Sequence, residues 1–326
     1  MNNKINAVFD GGGVKGIGLV GAVSMTEEKG YRFNNVAGTS AGAIVAAFIA
    51  AGYTSKEMKE ILDNLDYNKF KDLGSEDRIP FIGYVLSIAF QKGIYEGDYF
   101  ESWIREKLNA KGIYTFADLI VEGTENNKKH KYKLQVIATD ISRRKLLVLP
   151  EDIKYYGRDP NTLDVAWAVR MSMSIPFFFE PVVLQQSDGS TSYIVDGGVL
   201  SNYPIWIFDN QAYPTIGYKL VESDEGNEGA ISKIKGPISL FAAMFVTMME
   251  AHDARYITDS NFARTIPIDT LGVKTIDFDI TPDKSQSLYL SGRNAAEKFF
   301  NQWDFDDYKN KKFVSRSERI KNTSKE

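Results

Sequence analysis

The chain has 326 residues, 43% hydrophobic and 25% charged, a balance that suits a globular protein with a sizeable buried core. A net charge of −4 argues against a nucleic-acid-binding surface, and the lack of cysteine excludes disulfides and thiolate metal sites. Two histidines, His130 and His252, leave little material for a metal centre or for histidine-based catalysis.

In chain order the first element is INAVF, residues 5–9, an apolar run that predicts a buried strand. It follows Lys4 directly, and no secretory leader is expected. The strand runs into DGGGVKG, residues 10–16. Glycine surrenders more backbone freedom on folding than any other residue, so three in a row call for a specific reason. A Walker A loop fails, because Ile17 stands where that motif needs lysine. Gly11, Gly13 and Gly16 match a dinucleotide fingerprint, but residues 31–37, YRFNNVA, lack the acid that belongs about 20 positions on. A plain glycine turn is a third reading. The fourth is an oxyanion hole, with Gly11, Gly12 and Gly13 aiming backbone N–H groups at an ester oxygen as it becomes charged. An oxygen held about 3 Å from those amides leaves no room for Cβ atoms.

Residues 14–29 read as a helix with small residues near its start. The stretch 34–53 then gives a short strand, a tight turn and an alanine-rich helix ending at Gly52. The turn is GTSAG, residues 38–42, the G-x-S-x-G pattern of a nucleophile elbow in the strand-to-helix context such an elbow needs. Gly38 and Gly42 crowd each other across the bend, and Ser40 projects at the helix N-terminus, where negative charge is favoured. A serine N-cap is the simpler alternative. Downstream, TSKEMKEILDNL (54–65) opens with a capping box, Thr54 with Glu57, and DYFESWIREKL (98–108) with a box-like pair, Asp98 and Glu101. KLQVIATD (133–140) and YIVDGG (193–198) read as strands ending in turns, and LDVAWAVRMSMS (163–174) as a helix stopped by Pro176. Alternation of strands and helices predicts an α/β fold with a largely parallel sheet.

DGGV, residues 196–199, is a structural turn on its own terms. Beside a serine and a glycine-rich donor loop, Asp196 becomes the best candidate for the base that takes the serine proton. Gly197 and Gly198 would let the turn bring that carboxylate close.

DGGGVKG, GTSAG and DGG, in this order and at these spacings, resemble the patatin-like phospholipase family, as do KGIYEGDYFESWI (92–104) and VRMSMSIPFFFEPV (169–182). The resemblance covers about residues 5–215. It implies a three-layer α/β/α sandwich with a mainly parallel central sheet. It also implies a Ser–Asp dyad that hydrolyses acyl esters of phospholipids or related lipids, with no cofactor and no metal. Carried over by position, Ser40 is the nucleophile, Asp196 the base, and Gly11, Gly12 and Gly13 the oxyanion donors, while Lys15 stands at a position that is Arg or Lys in the family. The expected domain spans residues 1–305, and 306–326 form a mobile tail whose last 18 residues carry seven Lys/Arg against two Glu.

Two alternatives stay open. One is a nucleotide-binding module built on the N-terminal glycines. The other is a three-member triad, since the order Ser40, Asp196, His252 matches that of α/β-hydrolases. For an acyl-chain channel the candidates are IPFIGYVLSIAF (79–90), SIPFFF (174–179) and ISLFAAMFVTMM (238–249), with Met244, Met248 and Met249 as an adaptable lining. Phe177, Phe178 and Phe179 are the first choice for a wall. No apolar run approaches the roughly 18–20 residues that span a bilayer. A cytoplasmic protein is therefore expected, with a lipid-ester substrate, transient contact with a membrane surface and no nucleic-acid partner.

Overall fold

The computed structural model describes residues 3–66, 69, 95–123, 131–186, 188–209, 211, 213–222, 234, 240, 243–245, 247–249, 259–275, 277, 279–304 and 308. The expected channel segment 79–90, both histidines and the basic tail from 309 onward lie outside these residues.

The strand read at 5–9 is β1, Lys4–Phe9, and every residue from Ile5 on is buried. Burial of both faces is what a central parallel strand requires, which is why its sequence is a continuous apolar run rather than an alternation. Two parallel neighbours hold it: β2, Arg32–Thr39, pairs Val8 with Ala37, and β7, Thr215–Val221, pairs Val8 with Gly217. Beyond β2 lies β3, Leu134–Asp140, also parallel. Beyond β7 lies β8, Thr265–Asp269, parallel again.

On the far side of β3 the direction reverses. β6, Thr191–Asp196, pairs antiparallel with β3, and β5, Val182–Gln185, pairs antiparallel with β6. The sheet order is β5-β6-β3-β2-β1-β7-β8, with β4, Lys145–Leu149, forming a hairpin on β3. The fold is therefore α/β with a mainly parallel central sheet, as expected, and an antiparallel margin.

Helices cover the sheet unequally. α1, Gly16–Glu28, is buried from Gly16 through Thr26. α2, Ala41–Ala50, is buried along all but one of its residues, so its alanines let it lie flat on β2. The box read at Thr54 and Glu57 caps α3, Ser55–Asp63, in both directions. The pair Asp98 and Glu101 forms no box: α4, Asp98–Ala110, starts after a left-handed Gly97, and both acids sit in its first turn, where they complement the helix dipole. α5, Val165–Ser172, matches the helix read at 163–174 and is capped by Asp164. After the short α6, Asp259–Phe262, the last described helix is α7, Pro282–Phe300, with Thr281 as N-cap. On the opposite face Val8 and Ala37 pack against Tyr203, Ile205 and Phe208, where the chain makes a short helical turn. Among the described residues no helix is long and apolar enough to cross a membrane.

The topology positions the site. β1, β2 and β3 are parallel, so the loop after Phe9 and the bend after Thr39 emerge at one edge of the sheet, where ligands of open α/β sheets bind. Thr39 pairs with Ile137 on one side of β3, and Asp196 pairs with the next residue, Ala138, on the other. The reversal of β6 therefore brings the end of a later strand to the level of Ser40, with β3 between them.

Candidate active site

The GTSAG bend has the geometry that its glycines foretell. Ser40 sits at φ 53 and ψ −127, a conformation side-chain-bearing residues rarely hold. A Cβ on Gly38 would overlap the carbonyl of Gly42, and one on Gly42 would overlap the carbonyls of Phe9 and Asp10. The bend is braced from α5: the Ser40 N–H donates to Ser172 Oγ at 2.9 Å, and that hydroxyl donates to the Ile137 carbonyl at 2.6 Å. Ser40 Oγ donates to Met173 Sδ at 3.6 Å.

Asp196 ends β6 and caps the turn Gly197–Val199. Its Oδ1 accepts the Gly198 N–H at 2.8 Å, and its own N–H donates to the Ser174 carbonyl at 2.8 Å. A Cβ on Gly197 would press on the Ile137 carbonyl, so the first glycine is what lets the turn close over β3. The carboxyl is fully buried, and burial pushes its pKa up to about 7 against the downward pull of the Gly198 amide and the Ser40 hydroxyl. Its Oδ2 has no hydrogen-bond partner among the described residues. The Ser40 hydroxyl lies close enough to pull the Asp196 pKa down, while its proton is directed at the Met173 sulfur rather than at the carboxylate.

The glycine loop meets the same place. A Cβ on Gly11 would lie 3.2 Å from Ser40 Cβ. The Gly11 N–H, expected as an oxyanion donor, is instead directed at the Asn202 carbonyl at 3.3 Å. The chain after DGG folds back alongside the loop, and its carbonyl claims that amide. Among the described residues the amides of Gly12 and Gly13 meet no backbone carbonyl. Gly13 has φ 57 and opens a short helical turn ending at Lys15. Lys15 donates its N–H to the Gly12 carbonyl at 3.2 Å, and its Cε would lie 3.4 Å from a Cβ on Gly12. Asp10, first residue of the motif, anchors the loop: its Oδ1 accepts from Asn202 Nδ2 at 2.7 Å and its Oδ2 from the Leu220 N–H at 3.1 Å.

The expected walls divide. Phe178 and Phe179 meet edge to face, Tyr95 packs against both, tilted to Phe178 and edge-on to Phe179, and Phe179 is buried in the main core. Two methionines reach the site. Met173 Sδ accepts the hydrogen bond from Ser40 Oγ, and Met249 Cγ would lie 3.2 Å from a Cβ on Gly198. Met249 is buried, whereas Met244 and Met248 are exposed.

Sequence reading missed Ser172, Met173, Asn202 and Asp10. Ser172 and Met173 lie inside VRMSMSIPFFFEPV, where the resemblance points to the stretch but only its phenylalanines are given a role. Asn202 follows DGG by only a few positions, so nearness to the motif was its one signal.

The patatin-like phospholipase family model matches residues 7–209. An uncharacterised Bacillus subtilis protein, YqhO, is 43% identical over 306 residues, covering 92% of this chain and 99% of its own. A probable lipid hydrolase of invertebrate iridescent virus 6, 463L, is 24% identical over 198 residues, 61% of each chain. VipD from Legionella pneumophila shares the fold, with a TM-score of 0.55 at 19% identity; the match covers 91% of this chain and 66% of VipD. Every segment of the described site up to Asn202 falls inside the matched range, and the chain belongs to the patatin-like phospholipase family.

Proposed function

We propose that the chain is a serine acyl hydrolase that cleaves acyl esters of phospholipids or related lipids, of the phospholipase A or lysophospholipase type. The observation that supports this reading is a strained serine at a helix N-terminus near a fully buried carboxyl whose pKa burial raises to about 7. A carboxylate at its reference pKa of about 3.9 is a poor base for a hydroxyl, and burial brings Asp196 into the range that suits proton transfer at neutral pH.

In acylation Ser40 Oγ attacks the ester carbonyl carbon and its proton passes to Asp196. The oxyanion is met by the amides of Gly12 and Gly13 and by the N-terminal end of α2, each good donor contributing roughly 2.7–4 kcal/mol. The intermediate collapses, the alkoxide takes the proton from Asp196, and the acyl group stays on Oγ. Water then reverses the sequence. An acyl chain must displace Met173 and Met249, whose unbranched thioethers repack readily.

Labelling with a fluorophosphonate tests this reading. Modification of Ser40, with loss of p-nitrophenyl ester hydrolysis in Ser40→Ala and Asp196→Asn, is expected. A chain left unmodified at Ser40 would instead fit the nucleotide-binding module. His252→Ala keeps most activity if the dyad acts alone, and loses as much as Ser40→Ala if a triad operates.

A further inference from the structure

Asn202 is buried, and its amide orientation is fixed by its neighbours. Nδ2 donates to Asp10 Oδ1 at 2.7 Å and to the Gly11 carbonyl at 3.1 Å. Both partners are acceptors, so only the NH2 end can face them and the oxygen must face the other way. That oxygen, Oδ1, is buried without a hydrogen-bond partner among the described residues. Leaving a buried acceptor unmet is unfavourable, so its persistence calls for a donor that arrives during function.

Its surroundings say where. A Cβ on Gly198 would lie 3.0 Å from Asn202 Oδ1 and 3.1 Å from Asp196 Oδ1, so both oxygens flank one point. The same Asn202 oxygen crowds the Cβ position of Gly11, itself 3.2 Å from Ser40 Cβ. Asp196 Oδ2, the other oxygen of that carboxyl, is buried and without a hydrogen-bond partner among the described residues. The Asn202 amide oxygen and the Asp196 carboxyl thus lie on one side of Gly198, near the serine.

We propose that Asn202 sets the acyl-acceptor specificity of this site, its Oδ1 accepting one O–H of the hydrolytic water while Asp196 accepts the other. This inference rests on the acyl-hydrolase reading above and adds the choice of acceptor to it. Water carries two O–H donors and satisfies both acceptors. An alcohol carries one, which Asp196 must take, and Asn202 Oδ1 is then left unmet. In deacylation the water oxygen bonds to the acyl carbon and passes one proton to Asp196. The C–Oγ bond breaks, Ser40 Oγ takes that proton back, and the second proton leaves with the fatty acid.

The test forms the acyl-enzyme from p-nitrophenyl butyrate in buffer containing methanol and measures methyl butyrate against butyric acid. Both products come from one acyl-enzyme, so their ratio does not depend on how fast that species forms. In Asn202→Ala the methyl ester to acid ratio should rise roughly tenfold or more over wild type, the worth of one unmet buried hydrogen bond. A misplaced glycine loop would slow acylation and leave the ratio unchanged, and an unchanged ratio overturns the proposal. Should Asn202→Ala not fold, Asn202→Ser removes the same oxygen with a side chain too short to replace it, and the same product ratio is read: a comparable rise is expected, and an unchanged ratio overturns the proposal. A wild-type protein with neither burst nor product would instead overturn the hydrolase reading itself.

Discussion

At the scale of single residues, the conflict between folding and chemistry is concentrated in Ser40 and Asp196. Ser40 holds φ 53, where glycine is at ease and other residues are strained by about 1–3 kcal/mol. Ser40→Gly should therefore be more stable than Ser40→Ala by about that amount, read as the difference in urea midpoints, with both inactive. Asp196 carries the opposite sign from a salt-bridged acid. Its folded pKa, about 7, lies above the unfolded value of 3.8, so the folded state binds its proton more tightly. Stability from this group is full below the unfolded value and is lost as pH rises toward the folded one. Above pH 7 the native state holds a buried charge, and Asp196→Asn should gain on the order of 1–3 kcal/mol at pH 8 and little at pH 4. Activity should follow the reverse course. If Asp196 is the base, kcat/KM rises with pH through a midpoint near 7, and a flat profile between pH 5 and 9 would remove it from that role.

At the scale of elements, close approach of backbones decides more than propensity. α1 and α7 meet at glycine notches: a Cβ on Gly21 would overlap the Tyr289 carbonyl, and one on Gly292 the Gly18 carbonyl. Gly292→Val should cost about 2–3 kcal/mol through overpacking and speed proteolysis of α7, with little effect on the site's pH profile. The start of α7 was written plainly, in Thr281 followed by Pro282, yet the helix escaped sequence reading, because only one stripe of Leu288, Gly292 and Ala296 is buried. The Thr54 box was legible because both of its partners are local; Thr54→Ala should lower the melting temperature by the equivalent of about 1 kcal/mol. Asp98 and Glu101 gave the same local signal, but the left-handed Gly97 before them sets a different entry.

At the scale of the whole molecule, the part beyond the family match is tied to the part within it. β7 pairs with β1 at the centre of the sheet, and Arg264, fully buried just before β8, pairs with Asp209 at 2.6 Å. Removing one partner strands a buried charge, so Arg264→Met should cost about 3–5 kcal/mol, measured by denaturant unfolding, with loss of the native fold as the extreme outcome. The sequence by itself determined the α/β class, the bend at Ser40, the turn at Asp196 and the glycine loop. Each is a local matter of apolar runs and of backbones too crowded for a Cβ, and a few adjacent residues suffice to write it. Only the tertiary structure decided that β6 reverses to bring Asp196 level with Ser40, that the Asn202 carbonyl claims the Gly11 amide, and that Met173 and Met249 reach the site. Those outcomes depend on strand direction and on contacts between segments far apart in the chain, and no local pattern of residue types encodes them.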